Sequence, residues 1–393
     1  MPLYPASTTK ILTALIILED TPLSEVVTID AETPFVDGSR IYLMEGEQVT
    51  VEQLLYAMLL ASANDAAIAL AKHHSGTVQA FSRVMNSRAQ ALGAVNSHFV
   101  NPNGLPDPEH VASARDLALI ACEAMKHPDF RRIVGTVSYT LPPTNTQPET
   151  RHLQNGNRLL YGTGWRNSIV LDNQTVDIKW DLADGIKTGY TTLARQCLVA
   201  SASSEGRRVV AVTLKSEGKD VYRDVRLMLR HGLEDFKNLP LVEKGAPMGA
   251  VILPDGKTEI PVLASETRWV TVPKDAFPQT PAPTLTVNGS AALPVRQGQI
   301  LGMAAYTLEG GATVTVPLAA AEAREPAALQ TGLKRLLPMI LTGLEMALKA
   351  LAGFVVLYIL WRSVATWRRL QKRKRLQRMK ARAERNRSQN QSL

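Results

Sequence analysis

Three short polar motifs set in apolar surroundings carry whatever chemistry this chain performs. The first is Ser7 and Lys10 in YPASTTKILTALIILE, residues 4–19. On a helix, positions three apart share a face, so a serine hydroxyl and a lysine amine can meet there, and Pro5 puts Ser7 in the positively polarised first turn. A hydroxyl beside an amine pairs a nucleophile with a base. The second motif is Ser62-Ala63-Asn64 in MLLASANDAAIA, where Ser62, Asn64 and Asp65 break an apolar run. Each such group costs about 1–3 kcal/mol if buried without a partner. A helix cap or a break between two helices accounts for Asn64 and Asp65 equally well. The third is Lys187-Thr188-Gly189 in DGIKTGYT. On a strand edge it offers a cation and a hydroxyl to a carboxylate, and Gly189 permits close backbone approach; an ordinary β-turn is the alternative. Spacing alone is weak, because Ser216 and Lys219 repeat Ser-x-x-Lys, and Ser388 and Asn390 repeat Ser-x-Asn. Lys-Thr-Gly occurs once, and the three motifs in this order weigh far more than any one of them.

The elements that must position these residues follow from periodicity and caps. Residues 50–74 have apolar positions at helical spacing, with Thr50 as N-cap and Gln53 at the capping-box position. FSRVMNSRAQALGA and ASARDLALIACEAMKH predict two more amphipathic helices, the second stopped by Pro128. Residues 195–216 form two β-rich runs around a Ser-Glu-Gly turn, which predicts a hairpin, and DVYRDVRLMLRHGLEDF predicts a helix after it. From about residue 238 the composition shifts to Pro, Gly and short Val/Thr runs, which predicts a small all-β domain over 239–320 with its boundary near Leu239-Pro240. An Ala-rich linker, 321–336, comes next. No internal repeat is present at periods of 20–50 residues.

The length, 393 residues, suffices for two or three domains, and 45% hydrophobic with 20% charged residues is a globular composition. The formal charge of +8 is misleading, because residues 362–393 hold 12 Lys and Arg against Glu384 alone. The body before that tail carries 32 basic and 35 acidic residues, so a general nucleic-acid surface is not expected. Cys122 and Cys197 each sit in apolar runs and read as small buried hydrophobes; no cysteine or histidine spacing suits a metal.

Residues 337–361, LPMILTGLEMALKALAGFVVLYILW, would span about 37 Å as a helix, enough for a hydrocarbon layer of about 30 Å. Glu345 and Lys349 interrupt it at i,i+4 spacing and can neutralise each other. Trp361 and Trp367 suit an interfacial belt, and the basic residues 362–393 suit a cytoplasmic flank. A transmembrane helix is therefore expected at 337–361, with residues 1–336 outside, basic tail inside and membrane lipids as partners; an amphipathic helix lying on the surface is the alternative.

Taken with the words around them (PASTTKILTAL, LLASANDAAIALA, NPNGLPDPEHVASARDLA, DGIKTGYTTLARQCLVASA), the three motifs resemble the D-alanyl-D-alanine carboxypeptidases among the low-molecular-mass penicillin-binding proteins. The resemblance covers about residues 3–235, and 239–318 looks like that family's second domain. It implies an α+β, penicillin-recognising serine enzyme fold, an antiparallel sheet with a helical region, over residues 1–238. It also implies removal of the terminal D-alanine of a peptidoglycan pentapeptide through an acyl-enzyme, acylation by β-lactam antibiotics, and no metal or organic cofactor. In these terms Ser7 is the nucleophile, Lys10 its base and Ser62 the relay to the leaving amine. Asn64 would hold the substrate amide, Lys187 and Thr188 the terminal carboxylate beside the substrate-binding Gly189, and the N–H groups of Ser7 and Tyr190 the oxyanion. Members of the family carry a signal peptide and further strands before the serine motif, so an N-terminally truncated catalytic domain is the expectation from the resemblance. A class A β-lactamase shares the motifs but lacks such a C-terminal region. An endopeptidase differs only in pocket shape, and a non-hydrolytic penicillin-binding scaffold or inactive fragment is the reading from another class.

Overall fold

The computed structural model describes residues 1–275, 281–308 and 311–389, with side chains left undescribed at 327–335 and 382–389. Two compact units divide it: Met1–Leu239 with a segment from Val270, and Pro240–Trp269 with the remainder. The dividing residues 239 and 240 lie inside one strand, Phe236–Val242.

Eight α-helices occur among the described residues: α1 (Lys10–Asp20), α2 (Val51–Leu60), α3 (Asn64–Ser75), α4 (Val78–Ala91), α5 (Ala114–Ala124), α6 (Pro128–Gly135), α7 (Asp220–Glu234) and α8 (Ala327–Gln389). In the first unit α1 is the centre. Every side chain from Lys10 to Ile17 is buried, so α1 is enclosed on all sides rather than amphipathic. Its Ile11, Leu12, Leu15 and Ile16 share one core with Leu54 and Leu55 of α2, Leu70 of α3, Phe81 of α4, Leu117 of α5 and Phe130 of α6.

Against this helical cluster lies an antiparallel sheet in the order β1 (Ala183–Thr191), β2 (Arg195–Ser204), β3 (Arg207–Ser216). Alternation divides β2 between two cores. Val199 joins Ile186 of β1 in the α1 core, whereas Leu198, Ala200 and Ala202 meet Val221, Val225 and Leu229 of α7. Being covered on both faces, β2 is buried from Cys197 to Ala202, which explains the run CLVASA with Ser201 as its one polar residue. The predicted hairpin thus forms, and the predicted helix after it is α7.

Three expectations need correction. The helical stretch over 50–74 is two helices: α2 starts with the full Thr50/Gln53 capping box, ends at Leu60, and α3 begins at Asn64. Ser62 between them has φ 61°, which no helix continues through. Second, α5 ends at Ala124 and Pro128 starts a new helix, α6, at the first-turn position proline favours. Third, Cys122 is exposed, because α5 turns Leu117, Ile120, Ala121 and Ala124 inward instead; Cys197 is buried as expected.

The second unit holds a five-stranded antiparallel sheet ordered β4 (Pro247–Ile252), β5 (Glu259–Ala264), β8 (Thr313–Ala320), β7 (Ile300–Thr307), β6 (Thr284–Val287). Ile260, Val262, Leu301, Ala304, Val316 and Leu318 alternate inward to form its buried face. After it, α8 runs without interruption from inside the predicted linker, through 337–361, into the basic tail. Residues 390–393 of that tail lie outside the described residues.

Candidate active site

Ser7 occupies a 3₁₀ turn, Ala6–Thr9, that leads directly into α1 at Lys10. A 3₁₀ turn brings positions i and i+3 into register along its axis. Lys10 Nζ accordingly lies 3.0 Å from Ser7 Oγ. The same amine donates to Asn64 Oδ1 at 2.7 Å and to the carbonyl of Asn103 at 2.6 Å. Burial pushes the Lys10 amine well below its ordinary value, the nearby Lys187 cation lowers it further, and Asp65 opposes both.

Asn64 is the first residue of α3 and is held at both ends. Its Nδ2 donates to Asp37 O at 2.6 Å, so Oδ1 is the end that faces Lys10. One lone pair and one N–H of the carboxamide are left over. Ser62 sits at the break before α3, half-buried, and its hydroxyl makes no hydrogen bond among the described residues.

Lys187, Thr188 and Gly189 lie in the middle of β1, an edge strand, not in a turn. Lys187 is 1% exposed, and burial alone lowers its amine to about 7. Its Nζ donates to Thr188 O at 2.9 Å, its one hydrogen bond among the described residues. Gly189 runs against the Ala6–Thr9 turn: a Cβ there would stand 2.9 Å from Ser7 N and 3.1 Å from Thr8 N. Only glycine lets β1 pass this close to that turn. Tyr190, next along β1, is exposed.

The structure therefore gathers Ser7, Lys10 and Asn64 into one hydrogen-bonded group and places β1 against it. It also adds a wall to which sequence reasoning assigned no role, the turn Asn101–Leu105. Gly104 N donates to Asn101 Oδ1 at 2.7 Å, Leu105 N to Asn103 Oδ1 at 3.0 Å, and Thr13 Oγ1 of α1 to Pro102 O at 2.7 Å. Gly104 has φ 85°, and a Cβ there would fall 1.9 Å from Ala6 O. The composition Asn-Pro-Asn-Gly announces a tight turn without saying what packs on it. Behind it, buried His110 accepts from Val100 N at Nδ1, 3.1 Å, so its Nε2 carries the proton toward Thr9 Oγ1 at 2.8 Å.

Comparison with known proteins gives the family of the chain. The profile of the D-alanyl-D-alanine carboxypeptidases matches residues 1–218. The D-alanyl-D-alanine carboxypeptidase DacF of Bacillus subtilis is 31% identical over 341 residues, covering 85% of this chain and 82% of that protein. Among solved structures, penicillin binding protein 5 from Haemophilus influenzae is 27% identical with a TM-score of 0.63, over 83% of this chain and 92% of that one. The Streptomyces K15 DD-transpeptidase is 31% identical with a TM-score of 0.51, over 59% and 87%. The chain belongs to the D-alanyl-D-alanine carboxypeptidase family. It is a serine-type carboxypeptidase of that class, with an α+β fold of the penicillin-binding kind.

Proposed function

We propose that Ser7 is the nucleophile that takes the acyl group of a peptidoglycan pentapeptide, releasing its terminal D-alanine, and that Lys10 is the base. The observation that carries this reading is the setting of Lys10 Nζ. Two of its neighbours, Asn64 Oδ1 and Asn103 O, only accept protons, and the third, Ser7 Oγ, can donate one. A neutral amine committing its two protons to the first pair aims its lone pair at the serine hydroxyl. Burial and Lys187 supply the neutral form.

Attack by Ser7 Oγ on the penultimate D-alanine carbonyl transfers the hydroxyl proton to Lys10. Ser62, with its hydroxyl uncommitted, gives its proton to the departing amine and takes the Ser7 proton from Lys10, and water later cleaves the acyl ester, releasing the shortened peptide as an acid and restoring the Ser7 hydroxyl. The Ser7 and Tyr190 N–H groups take the oxyanion, each such donor being worth about 2.7–4 kcal/mol. Lys187, with donors to spare on a buried amine, and Thr188 grip the terminal carboxylate; Gly189 gives the strand its close approach. The spare lone pair and N–H of Asn64 hold the substrate amide. β-Lactams acylate Ser7 in the same way.

In this reading 1–238 is the catalytic domain, 239–320 a small β-rich domain and 321–336 a linker. Residues 337–361 cross a membrane, and 362–393 form a cytoplasmic tail against anionic lipid. What supports the span is α8 itself: the stretch Leu336–Ala381 contains a window long and apolar enough to cross, by length and composition, and wholly unburied. Glu345 and Lys349 pair at 2.9 Å within it.

The test is incubation with a fluorescent penicillin and, separately, with a peptide ending in D-Ala-D-Ala. Ser7→Ala is expected to abolish both labelling and D-alanine release. Labelling that survives in Ser7→Ala would remove Ser7 from the nucleophile's place, and labelling without D-alanine release would favour a penicillin-binding scaffold.

A further inference from the structure

Asp65 follows Asn64 in the first turn of α3 and is fully buried, and no cation pairs with it among the described residues. A buried carboxylate without a counter-ion costs several kcal/mol unless hydrogen bonds repay it. Here the bonds come from the backbone: Ile41 N at 3.1 Å, Leu43 N at 3.1 Å and Ala66 N at 3.0 Å. Ile41 and Leu43 flank Tyr42. With both flanking amides drawn inward, Tyr42 is turned out, 69% exposed and at φ 58°, a conformation a tyrosine rarely adopts.

The same segment is gripped at its other end by Asn64, whose N donates to Ser39 O at 2.7 Å and whose Nδ2 donates to Asp37 O at 2.6 Å. That second bond decides which end of the carboxamide faces Lys10. Among the described residues Asp37 O is the one acceptor of Nδ2, so its movement would free the carboxamide to turn Nδ2 rather than Oδ1 toward the amine, where an N–H would face the Lys10 protons. The path from Asp65 to the base thus runs through the backbone of 37–43 and the side chain of Asn64.

We propose that Asp65 is a positioning residue for the reaction: by clamping Ile41 and Leu43 it fixes segment 37–43, and through that segment the orientation of Asn64 and the placement of Lys10. The inference rests on the reading of Ser7 and Lys10 as nucleophile and base. The charged and titratable groups facing Lys10 are Asp65 from α3, Lys187 from β1 and His110 from behind the Asn101–Leu105 turn. Asp65 is the one that favours the charged amine.

Asp65→Asn keeps the shape of the side chain and replaces one acceptor with a donor. Acylation by a fluorescent penicillin is expected to fall by roughly 10- to 100-fold, the scale of a 1 Å misplacement of a catalytic group. The acid limb of its pH profile is expected to move to lower pH, because Lys10 loses a negative neighbour while Lys187 remains. A purely structural role would lower the melting temperature and leave the acylation rate of the folded protein where it is, the limb shift alone reporting the lost charge. A folded variant with an unchanged rate at the plateau of its pH profile overturns the proposal. Should the variant not fold, amide exchange in the unaltered protein decides: slow exchange at Ile41 and Leu43 beside fast exchange at Tyr42 supports the clamp, and equally fast exchange at all three overturns it. Ser7→Ala, measured alongside, keeps the two readings apart, since acylation persisting there would unseat the nucleophile assignment on which this one depends.

Discussion

Lys10 combines complete burial with a place at the start of the central helix, and that combination sets the pH behaviour expected of the enzyme. In the proposed roles its amine must be neutral to accept the Ser7 proton. Because burial and then Lys187 lower its pKa, the acid limb of kcat/KM is expected below the ordinary lysine value of 10.5. Lys187→Met removes the second cation, so the limb should move to higher pH, while loss of the proposed carboxylate grip should raise KM. A titration of acylation rate in both proteins measures the first effect separately from the second. His110 gives a stability counterpart. Burial holds it at about 4 against 6.5 when exposed, so the unfolded chain binds a proton that the folded one refuses between those values. Its contribution is present above about pH 6.5 and is lost as pH falls toward 4, amounting to about 3 kcal/mol for this shift. Thermal melts from pH 4 to 7 should show that slope flattened in His110→Gln.

Among elements, the turn Asn101–Leu105 and the capping box of α2 make a useful contrast. At Gly104 a side chain would strain a left-handed residue and drive a Cβ into the Ala6 carbonyl, with backbone on both sides of the conflict. Gly104→Ala is expected to cost more than about 2 kcal/mol and to displace the Asn103 carbonyl from Lys10, so acylation falls with stability. Thr50→Ala removes a cap remote from the site and is expected to cost about 1 kcal/mol with acylation unchanged. Denaturant melts paired with penicillin labelling test both. The break between α2 and α3 belongs at this scale too. By ending one helix at Leu60 and starting another at Asn64, the chain turns Ser62 out of helical geometry and puts Asn64 at a helix start, where its side chain points across to α1.

For the whole molecule, α8 is the feature with the plainest consequence. Its apolar stretch is exposed throughout, a surface far beyond what a soluble protein ordinarily leaves uncovered. Deleting 327–393 is expected to shift the protein from the vesicle pellet to the supernatant in a sedimentation assay, with acylation by penicillin retained, because every residue of the site precedes 191. Neutralising Arg368, Arg369, Lys372 and Arg373 should weaken association only with vesicles containing anionic lipid, and added salt should mask that difference.

Residue types and local spacing determined the candidate residues by themselves: a serine with a lysine three positions on, a polar trio in an apolar run, one Lys-Thr-Gly, and an apolar stretch flanked by tryptophan and basic residues. They also determined the hairpin β2–β3, α7 and the Thr50 cap, all of which depend on contacts between near neighbours in the chain. Long-range packing decided the rest. Whether Asn64 met Lys10, whether Lys-Thr-Gly lay in a strand or a turn, and which face of α5 held Cys122 all depended on partners dozens of residues away. The Asn103 carbonyl is the clearest case: a backbone oxygen has no signature in the sequence, and 93 residues separate it from the amine it binds. Only the folded core, with α1 enclosed on every side, brought the two to hydrogen-bonding distance.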